Sequence, residues 1–329
     1  MAPNTSLDEG RSPSASRTLI NRADVATALT LALLAPLSWL MPWRTWYFFC
    51  HAIGRLHIAV RGPKASDISE HEALRRLRLD AIHLERNFMG TVYEETLHTL
   101  RGHFQAVWKP KITVRGRHHL DTALGRGQGA ILWVCPCSFT ELILKKGLHE
   151  QGFHLTNLRS YAHPYSATRF GRRFLNPVHT HVEDRYLDSS VVLYPNQGAV
   201  ALRQLQTKLR ENKAVSVFAI AASDLPFEVP CLGGSLRIAL GAPTLAVLSG
   251  APLLPTCVLP SCDGAFEILI EAPLVTGNGT AKERPEESLA RNYARSVESW
   301  VTQRPHVWRG WLSRSLWRPN FRTMTKDDH

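Results

Sequence analysis

The feature that most constrains the fold is an alternation of short apolar segments with helical patterns, which begins at Val114. Strands are predicted at 130–134, 155–158, 191–194, 215–220, 252–259 and 266–270. Helices are predicted at 120–126, 141–151, 199–210, 236–249 and 286–303. Strands that alternate with helices usually lie parallel to one another, so this order predicts an α/β fold with a mainly parallel sheet flanked by helices.

One predicted corner between a strand and a helix carries a candidate catalytic acid. The strand 130–134 stops in a tight Cys-Pro-Cys turn, and a helical pattern follows with Glu141 in its first turn. Such corners commonly hold catalytic groups, because the strand fixes the position of the side chain and the helix N-terminus favours negative charge.

The N-terminal region is predicted to lie at a membrane. Residues 1–22 have little periodicity and are expected to be a disordered tail. Segment 23–62 contains nineteen uncharged residues from Val25 to Trp43, close to the ~20 that span a bilayer, followed by a cluster of aromatic residues. A buried core helix kinked by proline is the alternative. Residues 69–102 read as an amphipathic helical pair, and 321–329 as a polar tail.

The charge and the cysteines limit the partners. A net charge of +11 and a pI near 9.7 indicate an anionic partner. Without a zinc-finger spacing, an RNP-like motif or a Gly-rich phosphate loop, we expect an anionic membrane surface and no nucleic acid. Cys135 and Cys137, with Cys257 and Cys262, could form a metal site, but their spacings fit no common zinc pattern. We therefore predict no metal. Because the six cysteines show no paired framework, we also predict a reducing, cytosolic location.

The corner that carries Glu141 resembles the first motif block of the bacterial lipid A biosynthesis acyltransferases, the lauroyl/myristoyl transferase family. In that family the strand ends in Gly-His, and an acid follows the His after four intervening residues. Glu141 falls on the acid, whereas Cys135 and Pro136 fall on the Gly and the His. The resemblance thus implies the family's scaffold without its general base.

Further similarity extends over roughly residues 70–318. It includes Val114-Arg115-Gly116, Arg159, the helix 202–212, Val229-Pro230-Cys231-Leu232-Gly233, Gly250-Ala251-Pro252 and Trp308. The family's Asp-Gln pair is matched by Ala221-Ala222 or nearby residues. The resemblance implies a glycerolipid/lipid A acyltransferase-like α/β domain over 63–320, with altered polar residues at its site.

Other residues could supply the missing chemistry. Cys137 or Ser138 could act as a nucleophile that forms an acyl-enzyme, or both could line the turn, with Ser138 or Thr140 as the helix N-cap. Glu141 alone could act as a base only if burial raised its pKa. His163 could enter the cleft or lie in a surface loop. His179 precedes Asp184 at the family's His–acid spacing, but we assign that pair to a polar loop and to chance.

Two residues are candidates for substrate binding. Arg159 could hold a phosphate or the phosphopantetheine of an acyl carrier, or could be an ordinary surface arginine of a basic protein. Gly233 could allow a close approach of the backbone near the site, or could simply form a turn.

The resemblance implies an acyltransferase-like protein. It would move a fatty acyl chain from an acyl carrier protein or coenzyme A thioester to an amine or a hydroxyl, at the cytoplasmic side of the inner membrane. No cofactor is expected beyond the donor, and the oligomeric state stays open. The alternative is a catalytically inactive acyl-binding protein or scaffold on the same frame, since a fold alone does not establish chemistry.

Overall fold

The strands form a seven-stranded sheet and a three-stranded sheet in a computed structural model that describes residues 18–62, 74, 77–104, 108–220, 226–261, 264–276, 284–313 and 315–319. The strands are β1 (Ile112–Arg115), β2 (Ala130–Val134), β3 (Leu155–Ser160), β4 (Ser189–Leu193), β5 (Ala214–Phe218), β6 (Phe227–Cys231), β7 (Gly234–Ile238), β8 (Leu253–Pro260), β9 (Phe266–Ile270) and β10 (Trp317–Pro319). Most of the predicted tails, residues 1–17 and 321–329, lie outside the described residues.

The helices are α1 (Arg22–Leu40), α2 (Trp46–Arg61), α3 (Ala81–Phe104), α4 (Arg117–Gly125), α5 (Thr140–Glu150), α6 (Asn176–Asp184), α7 (Gly198–Arg210), α8 (Gly241–Ser249) and α9 (Pro285–Gln303). Of the predicted helical pair at 69–102, the second helix is α3, whereas most of the first falls outside the described residues. Shorter turns of helix connect these elements.

The predicted α/β architecture is confirmed. The large sheet has the order β1-β9-β8-β2-β5-β3-β4, in which the neighbours from β8 to β4 are parallel and β9 runs antiparallel to β8. Ile131 and Trp133 of the central strand β2 pack into one apolar cluster, and Leu132 and Val134 into another on the opposite face. Both faces of the sheet are therefore covered, as continuous apolar strands require.

One predicted helix begins too early. The segment predicted as helix 236–249 starts with strand β7, and α8 begins only at Gly241. Leu236 and Ile238 are buried whereas Arg237 between them is partly exposed, which is the period-two pattern of a strand. This hairpin with β6, completed by β10, forms the small antiparallel sheet, which the sequence analysis missed, as it missed β1.

Helix α1 is attached to the α/β body along its length. Asn21 and Asp24 form a reciprocal capping box, and the Thr168 hydroxyl donates to Asp24 Oδ2 at 2.7 Å. At the other end, the Arg101 guanidinium donates to the carbonyl oxygens of Ser38 at 2.8 Å and Met41 at 3.1 Å. Among the described helices, only α1 is long and apolar enough to cross a membrane, judged by length and composition. One third of its most apolar 18-residue stretch is buried.

The histidine at position 98 of α3 is a buried acceptor. Its ring lies edge-on to Trp46, Phe139 and Phe266, and its Nδ1 accepts a hydrogen bond from Trp108 Nε1 at 3.1 Å. Burial, with a smaller contribution from Arg101, lowers the pKa of His98 to about 3. His98 is therefore neutral in the folded protein at neutral pH.

We expect the folded state to lose stability through His98 as the pH falls below 6.5. Between the unfolded pKa of about 6.5 and the folded pKa of about 3, the unfolded chain binds more protons, so acid favours unfolding. The loss should be on the order of 2–3 kcal/mol between pH 7 and about pH 4.5. Urea unfolding of the wild type and of His98→Asn, which keeps an acceptor but does not titrate, measures it. Equal acid sensitivity of both proteins would contradict the assignment.

Candidate active site

The site is built on the corner between β2 and α5. Phe139, the last residue before α5, has a φ of +66°, a strained conformation for a side-chain-bearing residue. Its backbone N–H donates to Glu95 Oε1 of α3 at 3.0 Å. The predicted N-cap is wrong, because the N-cap is Phe139 and no side chain caps the helix. The hydroxyls of Ser138 and Thr140 are instead buried, without a hydrogen-bond partner among the described residues.

Two imidazoles and two carboxylates converge at this corner. His163, from the loop after β3, places its Nε2 2.9 Å from Glu183 Oε2 and 3.4 Å from Glu141 Oε2. His179 of α6 places its Nε2 3.3 Å from Glu183 Oε1 and 3.7 Å from Glu141 Oε2. We call these four residues the His–Glu cluster. The side chains of Glu141 and His163 are 17% and 13% exposed, so they form its solvent-facing side.

Permanent cations neutralise the carboxylates. Lys145 of α5 contacts Glu183 through its Nζ, and both side chains are fully buried. The Nη2 of Arg309 donates to both carboxylate oxygens of Glu95, at 3.1 and 2.9 Å. Three described carboxylates, those of Glu95, Glu141 and Glu183, thus face two permanent cations. The remaining negative charge is balanced when one imidazole carries a proton, as charges away from water require.

The pKa shifts keep both carboxylates of the cluster ionised and favour a proton on His179. Burial raises the pKa of Glu141, but His163 and Arg309 outweigh burial and hold it below its ordinary value. Burial is likewise outweighed at Glu183, whose pKa Lys145 and the two histidines hold well below its ordinary value. Burial lowers the pKa of His179, but the two carboxylates raise it overall. Glu141 is therefore an ionised partner of imidazole, rather than a base with a raised pKa.

Two of the four residues of the His–Glu cluster, His179 and Glu183, were not predicted from the sequence. His179 does not lie in a polar loop, as predicted, but on helix α6 with its ring buried, and its Nδ1 is 3.3 Å from the Thr99 hydroxyl. The acid that it meets on its own helix is Glu183, four residues on, and not Asp184. Polar residues four apart share one helix face, and Glu141 and Lys145 of α5 repeat that spacing. This spacing is the signal that could have found them.

The four ligand atoms of the His–Glu cluster lie within 4.8 Å of one another, so they could hold a divalent metal. Two observations favour a proton instead. Lys145 already occupies Glu183 Oε1. A dication would also leave one excess positive charge where a single proton gives neutrality. The arrangement is thus best suited to moving a proton between a bound substrate and imidazole.

The other predicted site residues lie outside the cluster. Cys137 is buried, with its Sγ 3.6 Å from that of Cys135 and 3.7 Å from that of Cys257. Gly233 lies in the two-residue turn between β6 and β7, where Leu232 and Gly233 both have positive φ, as a type I′ hairpin turn requires. That turn accounts for Gly233 without a substrate.

The Arg159 side chain already pairs with an acid of the protein, because its Nη1 donates to Asp184 Oδ1 at 2.8 Å. An anionic ligand would compete with that carboxylate. If Arg159 binds such a ligand, Arg159→Ala should weaken the binding of a coenzyme A thioester by about 1.5–3 kcal/mol, and Asp184→Asn should strengthen it. Calorimetric titration of both variants tests this role. Unchanged affinity in both would leave Arg159 a structural residue.

A separate shallow cavity of about 420 Å³ lies away from the cluster. Its walls come from the ends of β1 and β9, from α4 and from α9, and include Arg115, His118, His119 and Trp300. None of its lining residues belongs to the His–Glu cluster. We place the candidate active site at the β2–α5 corner because imidazoles and carboxylates converge there.

Comparison with known proteins adds no assignment. No protein-family model matches the chain, and no curated protein matches it.

Proposed function

We propose that the protein is an acyltransferase that acts at a membrane surface, with the His–Glu cluster as its acid–base centre. The observation that carries the proposal is that His163 and His179 place imidazoles beside Glu141, at the corner where the sequence has Pro136 in the position of the family's histidine. The corner also lies at the carboxyl end of a central parallel strand, where α/β proteins commonly bind ligands.

His163 is the proposed general base. Its Nε2 donates to Glu183 and faces Glu141, which leaves Nδ1 as the basic nitrogen. Nδ1 takes the proton from the attacking amine or hydroxyl and returns it to the leaving thiolate of the donor. Glu183 and Glu141 stabilise the imidazolium and fix the orientation of the ring, as the acid of a catalytic triad does. Lys145 keeps Glu183 ionised.

The exposed apolar side chains of the N-terminal helices and the net positive charge support binding to a membrane and to an anionic acyl carrier. Helices α1 and α2 and the turn between them expose many apolar side chains, which include Val25, Leu29, Leu33, Trp39, Leu40, Trp43, Phe48 and Leu56. Because the buried side of α1 packs on α3 and is held by Arg101, we propose that α1 lies in the interface rather than across the bilayer. The net charge of +11 suits an anionic cytoplasmic leaflet and an anionic acyl carrier.

We expect Leu29→Glu with Leu33→Glu to abolish binding to anionic vesicles. Both leucines are exposed, Leu33 to 70%, so the two charges disturb the membrane contact and not the core. Cosedimentation with phosphatidylglycerol vesicles measures it, and Leu248→Glu, at an exposed position on α8, is the control. If the double variant and the control sediment alike, the apolar surface of α1 is not the membrane contact.

The proposed reaction is tested by product analysis. Purified full-length protein is incubated with acyl carrier protein and coenzyme A thioesters and with membrane extract, and acylated lipids and amines are identified by mass spectrometry. The result should agree with lipid profiles of cells with and without the gene. An inactive acyl-binding protein, favoured by the loss of histidine at Pro136, would bind the thioester and form no product. The absence of both product and binding would contradict both functions.

A further inference from the structure

Three thiols meet beneath the candidate active site. Cys135 and Cys137 flank Pro136 at the carboxyl end of β2, and Cys257 lies on the neighbouring strand β8. The three Sγ atoms lie within 4.8 Å of one another, and two of the separations are 3.6 and 3.7 Å. All three side chains are buried. Cys50 and Cys231 are also buried, but neither takes part in this three-sulfur group.

The sulfur separations match the edges of a metal site. A tetrahedral metal with metal–sulfur bonds of about 2.3 Å holds its sulfur ligands about 3.7–3.8 Å apart. Simple contact between thiols gives a similar distance, so the surroundings of the sulfurs matter. Two of the sulfurs come from the turn after β2 and the third from β8, in a region where small apolar residues would pack as well.

The surroundings supply an oxygen atom close to the sulfurs. The buried Tyr293 hydroxyl has the three cysteines as electrostatic neighbours and Cys135 as a hydrogen-bond neighbour. The indole N–H of Trp308 is buried without a hydrogen-bond partner in the described part of the chain, and the Trp308 backbone pairs with that of Cys137. The Tyr293 oxygen is a possible fourth metal ligand, whereas the Trp308 N–H, which only donates, can pair with a thiolate but not with a cation.

A positive charge lies next to the thiols. Arg309 is an electrostatic neighbour of the buried Cys137, and its own side chain is 31% exposed. Three thiolates and a divalent cation carry one net negative charge, which Arg309 offsets in part because it also pairs with Glu95. Soft thiolate ligands select zinc and other thiophilic metals over magnesium or calcium.

We propose that, contrary to the expectation of no metal drawn from the sequence spacings, Cys135, Cys137 and Cys257 bind one zinc-type divalent cation, with the Tyr293 oxygen facing the fourth coordination position. Binding breaks the three S–H bonds, forms three metal–sulfur bonds and releases the protons to solvent. The metal would fix the Cys-Pro-Cys turn against β8 and thereby hold the first residues of α5. This site is independent of the proposed acyl transfer, because its ligands are distinct from the His–Glu cluster.

The test begins with the wild-type full chain, purified under reducing conditions from cells grown with added zinc. Metal per chain is measured by mass spectrometry, and the ligand shell by X-ray absorption at the zinc edge. We expect a stoichiometric metal with a sulfur-dominated shell at about 2.3 Å. A shell of nitrogen and oxygen alone would place the metal at the His–Glu cluster and overturn the proposal, as would wild-type protein that binds no zinc.

Variants locate the ligands. Refolding with Co²⁺ should produce a thiolate-to-cobalt charge-transfer band in the wild type and in the matched controls Cys231→Ser and Cys50→Ser. We expect Cys257→Ser to lose the band and the bound zinc, with circular dichroism confirming that it is folded. Retention of the full band in Cys257→Ser, or equal loss in the two controls, would contradict the assignment. If Cys257→Ser does not fold, the wild-type sulfur shell decides.

Discussion

His163→Ala and Glu141→Gln should each lower product formation by roughly 10²–10⁴-fold, the usual share of general acid–base catalysis. His163→Ala removes the proposed base, and Glu141→Gln keeps the shape of the side chain but removes the charge that faces it at 3.4 Å. Because both act on the same proton transfer, the double variant should be little worse than either single one. Single-turnover kinetics with the thioester donor that product analysis identifies measures the step directly.

Matched controls separate chemistry from folding. His181→Ala removes an exposed histidine from the same helix as His179, and Glu150→Gln removes a charge from the last turn of the same helix as Glu141. Both should retain activity. Donor binding should survive in His163→Ala, because the base is not a binding group. Full activity in His163→Ala and in Glu141→Gln would exclude acyl transfer at this corner.

We expect Lys145→Met to be the most destabilising substitution at the site, by about 3–5 kcal/mol. Its fully buried ammonium contacts the fully buried carboxylate of Glu183, and removing one partner leaves an uncompensated charge in the core. Lys208→Met, which breaks an exposed pair with Glu211, should change stability by about 1 kcal/mol or less. Urea denaturation at pH 7 compares the two variants.

The pH dependence identifies the cause of that loss. In the wild type, Lys145 and the histidines hold the pKa of Glu183 well below its ordinary value, so this stabilisation is present above the unfolded pKa of about 4.3 and lost in acid. Without Lys145 the pKa of Glu183 should rise, because burial then dominates. The difference in stability between Lys145→Met and the wild type should therefore shrink as the pH falls towards 4. A difference independent of pH would point to packing.

The local sequence pattern was sufficient to predict the strand and the helix that form the corner. Strand β2 and the start of α5 follow from an apolar run, a proline turn and helical periodicity, which act over a few neighbouring residues. The parallel sheet follows from the alternation of such elements. The helix predicted at 236–249 was wrong in its first turn, because a short apolar segment satisfies both periods and only its pairing with β6 makes it a strand.

The sequence by itself thus determined the α/β framework and the place of Glu141 in the first turn of the helix that follows β2. Tertiary structure alone decided which groups meet it: His163 and His179 arrive from segments that follow later in the chain, and Arg309 from near its C-terminus. It also decided that Cys257 meets Cys137, 120 positions away. The physical reason is that periodicity indicates which side chains share a face, whereas the packing of whole elements determines which faces touch.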